Sequence, residues 1–152
     1  MLHSDQQLID NLWFSYIQLT KENLPSDNLR LDRLSPIALA YVGDAVYELY
    51  VRSQLLVPPK KIAEYHHQVV TQVKAEAQAY YLQILEPYLT TEEKDLVRRG
   101  RNAVTKKPRR ISGKVYQQAS SLETLIGYLY LTDGDRLKYL FTKIKIVSDD
   151  YG

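Results

Sequence analysis

Apolar residues recur at helical spacing along nearly the whole chain, and no stretch keeps the period of two that a half-buried strand needs. Leu8, Leu12, Ile17 and Leu19, with Trp13, Phe14 and Tyr16 among them, predict a first amphipathic helix. Asn23 to Asp32, carrying Pro25 and Ser26, predicts a linker after it. Ser35-Pro36 then supplies a capping hydroxyl and a proline at the first helical position, and Pro58-Pro59 supplies a stop. The helix between them is about six turns long. From Ile37 to Val51 it is apolar on nearly every face, which predicts a course through the middle of the domain.

Two further helices are predicted, from Lys60 to about His67 and from Val69 to about Leu85, the second ended by Pro87. Thr90, with Glu93 three residues on, has the form of a capping box for a short helix through Arg99 that Gly100 closes in a left-handed conformation. Ala103 to Val115 contains Pro108 and Gly113 and no sustained apolar period, so it predicts a connection, with helix resuming near Tyr116. Leu122, Leu125, Ile126, Leu129 and Tyr130 describe a second largely buried helix, broken at Asp133-Gly134. Leu137, Leu140, Phe141 and Ile144 mark the last one. The expected fold class is all-α.

Composition narrows the function. At 152 residues with 45% hydrophobic and 25% charged residues the chain has the make-up of one globular domain. Without cysteine, disulfide scaffolds, thiolate zinc sites and cysteine nucleophiles are excluded. No apolar run approaches the roughly 18 to 20 residues of a membrane span. The early acids Asp5, Asp10, Glu22 and Asp27 are unlike a signal or transit peptide, so the expected setting is the cytoplasm or an organelle interior of bacterial type, with no membrane partner.

The net charge of +2 conceals an asymmetry. Between Leu96 and Leu122 stand Arg98, Arg99, Arg101, Lys106, Lys107, Arg109, Arg110 and Lys114 with no acidic residue, and the rest of the chain holds twelve basic against eighteen acidic residues. Such a local field suits a polyanion, although a solvated loop that keeps the protein soluble fits the run as well.

Candidate chemistry lies where a carboxylate sits inside an apolar helix, because burying its charge without a partner costs several kcal/mol. Asp44 stands within Ala40-Tyr41-Val42-Gly43-Asp44-Ala45-Val46, and Gly43 gives up roughly 1 kcal/mol of helix propensity, best explained by close approach of a backbone or a ligand. Glu123 repeats the arrangement, with Gly127 one turn on, and is the only acid between Asp95 and Asp133. Where two such helices cross, the carboxylates can share a hard divalent cation such as Mg²⁺; the competing reading gives each an arginine or a cap. Glu48 is one turn beyond Asp44 but fits better as a partner of Arg52, and His66 and His67 have no third group at metal-ligand spacing.

The segment Ala40 to Val46 resembles the signature helix of ribonuclease III domains. Leu122-Glu123-Thr124-Leu125-Ile126-Gly127-Tyr128-Leu129-Tyr130-Leu131 resembles the second acidic motif of that fold, and Arg98-Arg99-Gly100-Arg101-Asn102-Ala103 resembles the glycine-containing turn between them. The nearest pattern is the short Mini-III subgroup, which has the catalytic domain and no double-stranded RNA-binding domain. The resemblance implies a ribonuclease III-type catalytic domain over residues 34–147, a helical extension and linker over 1–33, and a tail over 148–152. It departs from the larger enzymes, which present four acidic positions, at Ile37, Ala40 and Ser120. It implies a metal-dependent endoribonuclease that cuts double-stranded RNA to 5′-phosphate and 3′-hydroxyl ends, with precursor 23S ribosomal RNA as expected substrate. Asp44 and Glu123 would then be the catalytic, Mg²⁺-holding pair, Mn²⁺ being able to substitute. The working unit would be a homodimer, and Arg98, Arg99, Arg101, Asn102, Lys106, Lys107, Arg109, Arg110 and Lys114 would bind RNA. A non-catalytic double-stranded RNA-binding module of the same fold, or a helical protein whose basic loop meets an acidic partner, are the alternatives left by the missing carboxylates.

Overall fold

The structure is a computed structural model that describes residues 4–12, 15, 34–104, 106 and 108–146. The predicted linker, Trp13, Phe14, Tyr16, Ile17 and Leu19 of the first helix, Lys107 and the C-terminal tail lie outside the described residues. Among the described residues six helices follow the linker: α1 (Pro36–Gln54), α2 (Ile62–Val73), α3 (Ala75–Leu85), α4 (Thr91–Asn102), α5 (Gly113–Thr132) and α6 (Gly134–Lys143), with a 3₁₀ turn Glu86–Tyr88 between α3 and α4. Among the described residues there is no strand, and no helix is long and apolar enough to cross a membrane.

The bundle is organised around α5, which packs most extensively on α1 and then on α4 and α3. Leu122, Leu125 and Ile126 of α5 are fully buried with Leu39 and Tyr47 of α1 and Tyr81 of α3. The helix ends follow the sequence chemistry. Ser35 accepts from the Ala38 amide at 3.1 Å with Pro36 in the first turn, Ser112 accepts from Val115 at 3.1 Å, and Asp133 accepts from Arg136 at 3.0 Å. The Thr90–Glu93 capping box forms with both bonds, at 2.9 and 3.1 Å. Glu93 goes further than a cap: Arg136 of α6 donates to both its oxygens, at 2.7 and 2.9 Å, and pins α6 to the start of α4. Residues 4–12 are helical and are tied to the end of α1 by Gln54, whose amide donates to Asp10 at 2.7 Å.

Four expectations need correction. The second pair of helices divides at Lys74 and not before Val69: Lys74 is extended, with φ −62° and ψ 156°, and ends α2 while opening α3. Gly100 does not close α4. That helix runs on to Asn102, no glycine among the described residues has positive φ, and Gly100 is instead the point where α5 comes close, since a Cβ there would stand 2.7 Å from Thr124 Oγ1. Helix α5 begins at Gly113, one turn earlier than predicted, because Ser112 caps it. Finally, α1 is central on one side only: Ile37 is 59% and Tyr41 84% exposed, so its apolar residues supply both a core face and an outward face.

Candidate active site

Helices α1 and α5 meet backbone to backbone. A Cβ on Gly43 would lie 1.8 Å from the Glu123 carbonyl oxygen, and one on Gly127 would lie 1.9 Å from the Leu39 carbonyl oxygen. No side chain fits in either place, so both helix-weakening glycines are accounted for by this crossing. The crossing sets Asp44, next to Gly43, beside Glu123, one turn before Gly127. The single hydroxyl hydrogen of Thr124 lies between the Ser120 carbonyl of its own helix at 2.9 Å and the Pro36 carbonyl at 3.1 Å, which sets α5 against the first turn of α1.

Both carboxylates line one open cleft of about 320 Å³. Its α1 wall is Ile37, Ala40, Tyr41 and Asp44, its α5 wall is Tyr116, Ser120, Glu123 and Thr124, and Gly100, Val104 and Lys106 close the third side. The three positions at which acidic residues are replaced, Ile37, Ala40 and Ser120, therefore surround the two that remain. Asp44 is exposed at the cleft and not buried in the apolar helix as expected; partial desolvation still raises its carboxyl above its ordinary range, with repulsion from Glu48 adding to it. Burial pushes Glu123 up to about 7, repulsion from Asp44 adds to the shift, and a hydrogen bond from Gln78 opposes it. Neither carboxylate is paired with a lysine or arginine among the described residues, which goes against the arginine half of the reading that gave each an arginine or a cap. Glu48 does pair with Arg52, at 2.6 Å.

Two carboxylates that repel each other in one cleft, neither of them in an ion pair among the described residues, suit a divalent cation whose other positions are filled by water and phosphate. They are fewer than a closed cage requires, and among the described residues no three Asp, Glu or His side chains are placed to share an ion. His66 and His67 are exposed on α2, away from the cleft lining.

Residues 37–134 match the family model of the Ribonuclease III domain. The chain belongs to the ribonuclease III family. Within it the chain falls in the Mini-III subgroup. It is 54% identical over 122 residues to the Mini-ribonuclease 3 of Synechocystis sp., covering 80% of this chain and 85% of that protein. It is 36% identical over 134 residues to the Mini-ribonuclease 3 of Staphylococcus aureus, covering 85% and 98%. A crystallised protein from Fusobacterium nucleatum superposes with a TM-score of 0.68 at 28% identity, over 74% of this chain and 93% of that one.

The ribonuclease III crossing helices thus carry the pair that the sequence singled out, while the basic residues separate into groups. Lys106 lines the cleft. Arg101, Asn102, Arg109, Arg110 and Lys114 are exposed on the end of α4, the connection and the start of α5. Arg98 is held by Asp95 at 2.5 Å. Arg99 lines a different hollow, shared with Glu92, Glu93, Asp95 and Arg136. Sequence reasoning did not name Tyr116, Thr124 or Gln78 as site residues. Counting back from Glu123 at helical spacing reaches Ser120 and Tyr116, and the same count from Asp44 reaches Tyr41, Ala40 and Ile37, so the signal for those was present. Gln78 lies on another helix and left no such signal.

Proposed function

We propose that this endoribonuclease works in the cytoplasm as a homodimer on double-stranded RNA, with precursor 23S ribosomal RNA as substrate, and that Asp44 and Glu123 hold Mg²⁺ at the cleft. The observation that carries the reading is the contact of Gly43 and Gly127, which brings two otherwise unpaired carboxylates to one opening. A divalent ion bound there supplies, when present, the Lewis acid that lowers the pKa of water and offsets charge on the phosphodiester.

The chain's own residues do the rest. Asp44 and Glu123 would provide the negative charge that holds the cation, their carboxyls being raised by desolvation first and, for Glu123, by repulsion from Asp44 second. Lys106, on the third side of the cleft, offers its ammonium to a phosphate beside the scissile one. Arg101, Arg109, Arg110 and Lys114 extend a positive surface outward from there, which suits a duplex recognised through its backbone and shape. Water attacks the phosphorus and the 3′ oxygen leaves, giving 5′-phosphate and 3′-hydroxyl ends. A module that only bound RNA would have no use for two crowded carboxylates, so the catalytic reading is favoured.

The outward face of α1 supports the dimer. Ile37, Tyr41, Ala45 and Leu49 recur every fourth residue and are all exposed. Ile37 and Tyr41 also line the cleft, so a second copy seated on this ridge would stand at the edge of the site. A two-fold arrangement then offers one cleft to each strand of a duplex. Cleavage of a purified precursor ribosomal duplex with Mg²⁺ and not with EDTA tests the proposal, and equal activity in EDTA overturns it.

A further inference from the structure

Near the end of α4 the buried Gly100 meets α5 at Ser121 and Thr124, both fully buried. A Cβ on Gly100 would stand 2.7 Å from Thr124 Oγ1, 2.9 Å from Thr124 Cβ and 3.3 Å from Ser121 Cα. Only the first of these atoms can turn aside by rotation of a side chain, so α4 would have to back away from α5 to admit even a methyl group. The Thr124 hydroxyl is itself held between the Ser120 and Pro36 carbonyls. Pro36, Gly100, Ser120 and Thr124 all line the cleft with Glu123, so one buried side chain joins α1, α4 and α5 where the three border it. Helix α4 ends at Asn102, and Val104 and Lys106, on the same side of the cleft, follow within six residues of this seat.

We propose that Gly100 and Thr124 are positioning residues for the reaction, whose contact sets the width of the cleft and holds the side that carries Lys106 at its distance from Asp44 and Glu123. Gly100 serves no turn, since α4 runs on through it. Two helices pack stably with larger residues between them, ordinarily about 8 to 10 Å apart, so what a glycine adds at this point is the short distance. The carboxylate pair is set separately, by the contacts of Gly43 and Gly127, which leaves the third side of the cleft to be placed by α4. The inference rests on the reading of Lys106 as the partner of a phosphate beside the scissile one.

The test uses the full chain with Gly100→Ala, Lys106→Ala and the two combined. Single-turnover cleavage at saturating duplex RNA, corrected for the folded fraction, should fall about ten- to a hundredfold in Gly100→Ala. Half-saturation by Mg²⁺ should stay as in wild type, because the α1–α5 crossing is untouched. Added to Gly100→Ala, Lys106→Ala should lower the rate by much less than it does alone, since residues that act through one another are not additive. A glycine that served only stability would leave the Lys106→Ala factor whole. Thr124→Val, which keeps the shape and removes the hydroxyl, reads the same seat from α5 without depending on Gly100→Ala folding. It should slow cleavage and blunt the Lys106→Ala factor in the same way, whereas Thr124→Ser, which keeps the hydroxyl, should retain the rate. Wild-type rate in a folded Gly100→Ala or Thr124→Val protein, a rise in Mg²⁺ half-saturation that accounts for the slowing, or an undiminished Lys106→Ala factor in both, overturns this inference alone. A fully active Lys106→Ala enzyme overturns the reading of Lys106 and this inference with it, and a fully active Glu123→Gln enzyme overturns the functional reading as a whole.

Discussion

Gly43 lies so close to Glu123 that a Cβ on it would stand 1.8 Å from the Glu123 carbonyl oxygen. The obstacle is backbone, so it cannot rotate away as a side chain would. Gly43→Ala should therefore destabilise the protein by about 1 to 3 kcal/mol despite a helix-propensity gain of roughly 1 kcal/mol. Because the helices must part where Asp44 and Glu123 face each other, cleavage should fall further than the folded fraction does. Thermal melts alongside single-turnover rates separate the two effects, and a Gly43→Ala protein with unchanged melting temperature and rate would refute the role assigned to the crossing.

The carboxylate pair itself is tested by charge removal without loss of volume. Asp44→Asn and Glu123→Gln should each abolish cleavage while the chain stays folded and dimeric, with Mn²⁺ partly rescuing Glu123→Gln if ligand number limits binding. Sedimentation at micromolar concentration should give roughly twice the 17.7 kDa chain mass for both. Wild-type turnover in Asp44→Asn would remove it from the site.

Most of this site was legible in the sequence because its determinants are local: a carboxylate and a glycine inside an apolar helix, twice. The crossing followed from asking why a helix would tolerate Gly43 and Gly127. The Lys74 break was not legible, since nothing near it is proline or glycine; beside it, Tyr47 and Tyr81 of two other helices both bond Gln72, a contact that no local pattern along the chain announces. Gly100 misled for the related reason that a glycine placed for close packing and one placed for a turn look alike along the chain. The outward face of α1 was legible only in part: Ile37 and Tyr41 suggest an apolar surface for a second copy, but a stretch apolar on nearly every face from Ile37 to Val51 also reads as a central helix, and the bundle leaves Ile37 and Tyr41 exposed.

Metal-free stability should carry the signature of Glu123. Burial pushes the folded Glu123 carboxyl up to about 7, whereas the unfolded side chain releases its proton near the ordinary value of 4.5. Between those values the folded state binds more protons, so stability falls as pH rises, by at most on the order of 3 kcal/mol. In EDTA the melting temperature should drop from about pH 5 to about pH 7.5, Mg²⁺ should restore more of it at the higher pH, and Glu123→Gln should flatten the slope. A Glu123→Gln profile parallel to wild type would show that Glu123 is not the source.

Glu93 should act in the opposite sense and in a different window. Hydrogen bonding from Arg136 holds its carboxyl below the usual range against the opposing effect of burial. Its contribution is therefore complete above the unfolded carboxylate range and is lost as pH falls through the lowered folded value. Arg136→Ala strands a buried carboxylate and should cost about 3 kcal/mol, toward the low end for breaking a buried pair because Arg136 is itself only half-buried. Urea melts should show that loss at neutral pH and a smaller one in strong acid, where Glu93 is protonated in both proteins.

The basic residues should divide by place. Each phosphate neutralised on a duplex adds about 0.9 to the slope of log K against log salt on B-form DNA, and an A-form groove should behave comparably. Arg109→Ala, Arg110→Ala and Lys114→Ala, exposed along the connection and the start of α5, should weaken binding and flatten that slope while leaving the rate at saturating RNA nearly unchanged. Lys106→Ala should lower that rate as well, because Lys106 alone among them lines the cleft with Asp44 and Glu123. Arg98→Ala should do little, its guanidinium being already engaged by Asp95. Salt titrations of duplex binding, run beside single-turnover rates, read both quantities from one set of variants. If Lys106→Ala changes affinity alone, its ammonium adds only to duplex binding and does not position the phosphate beside the scissile one.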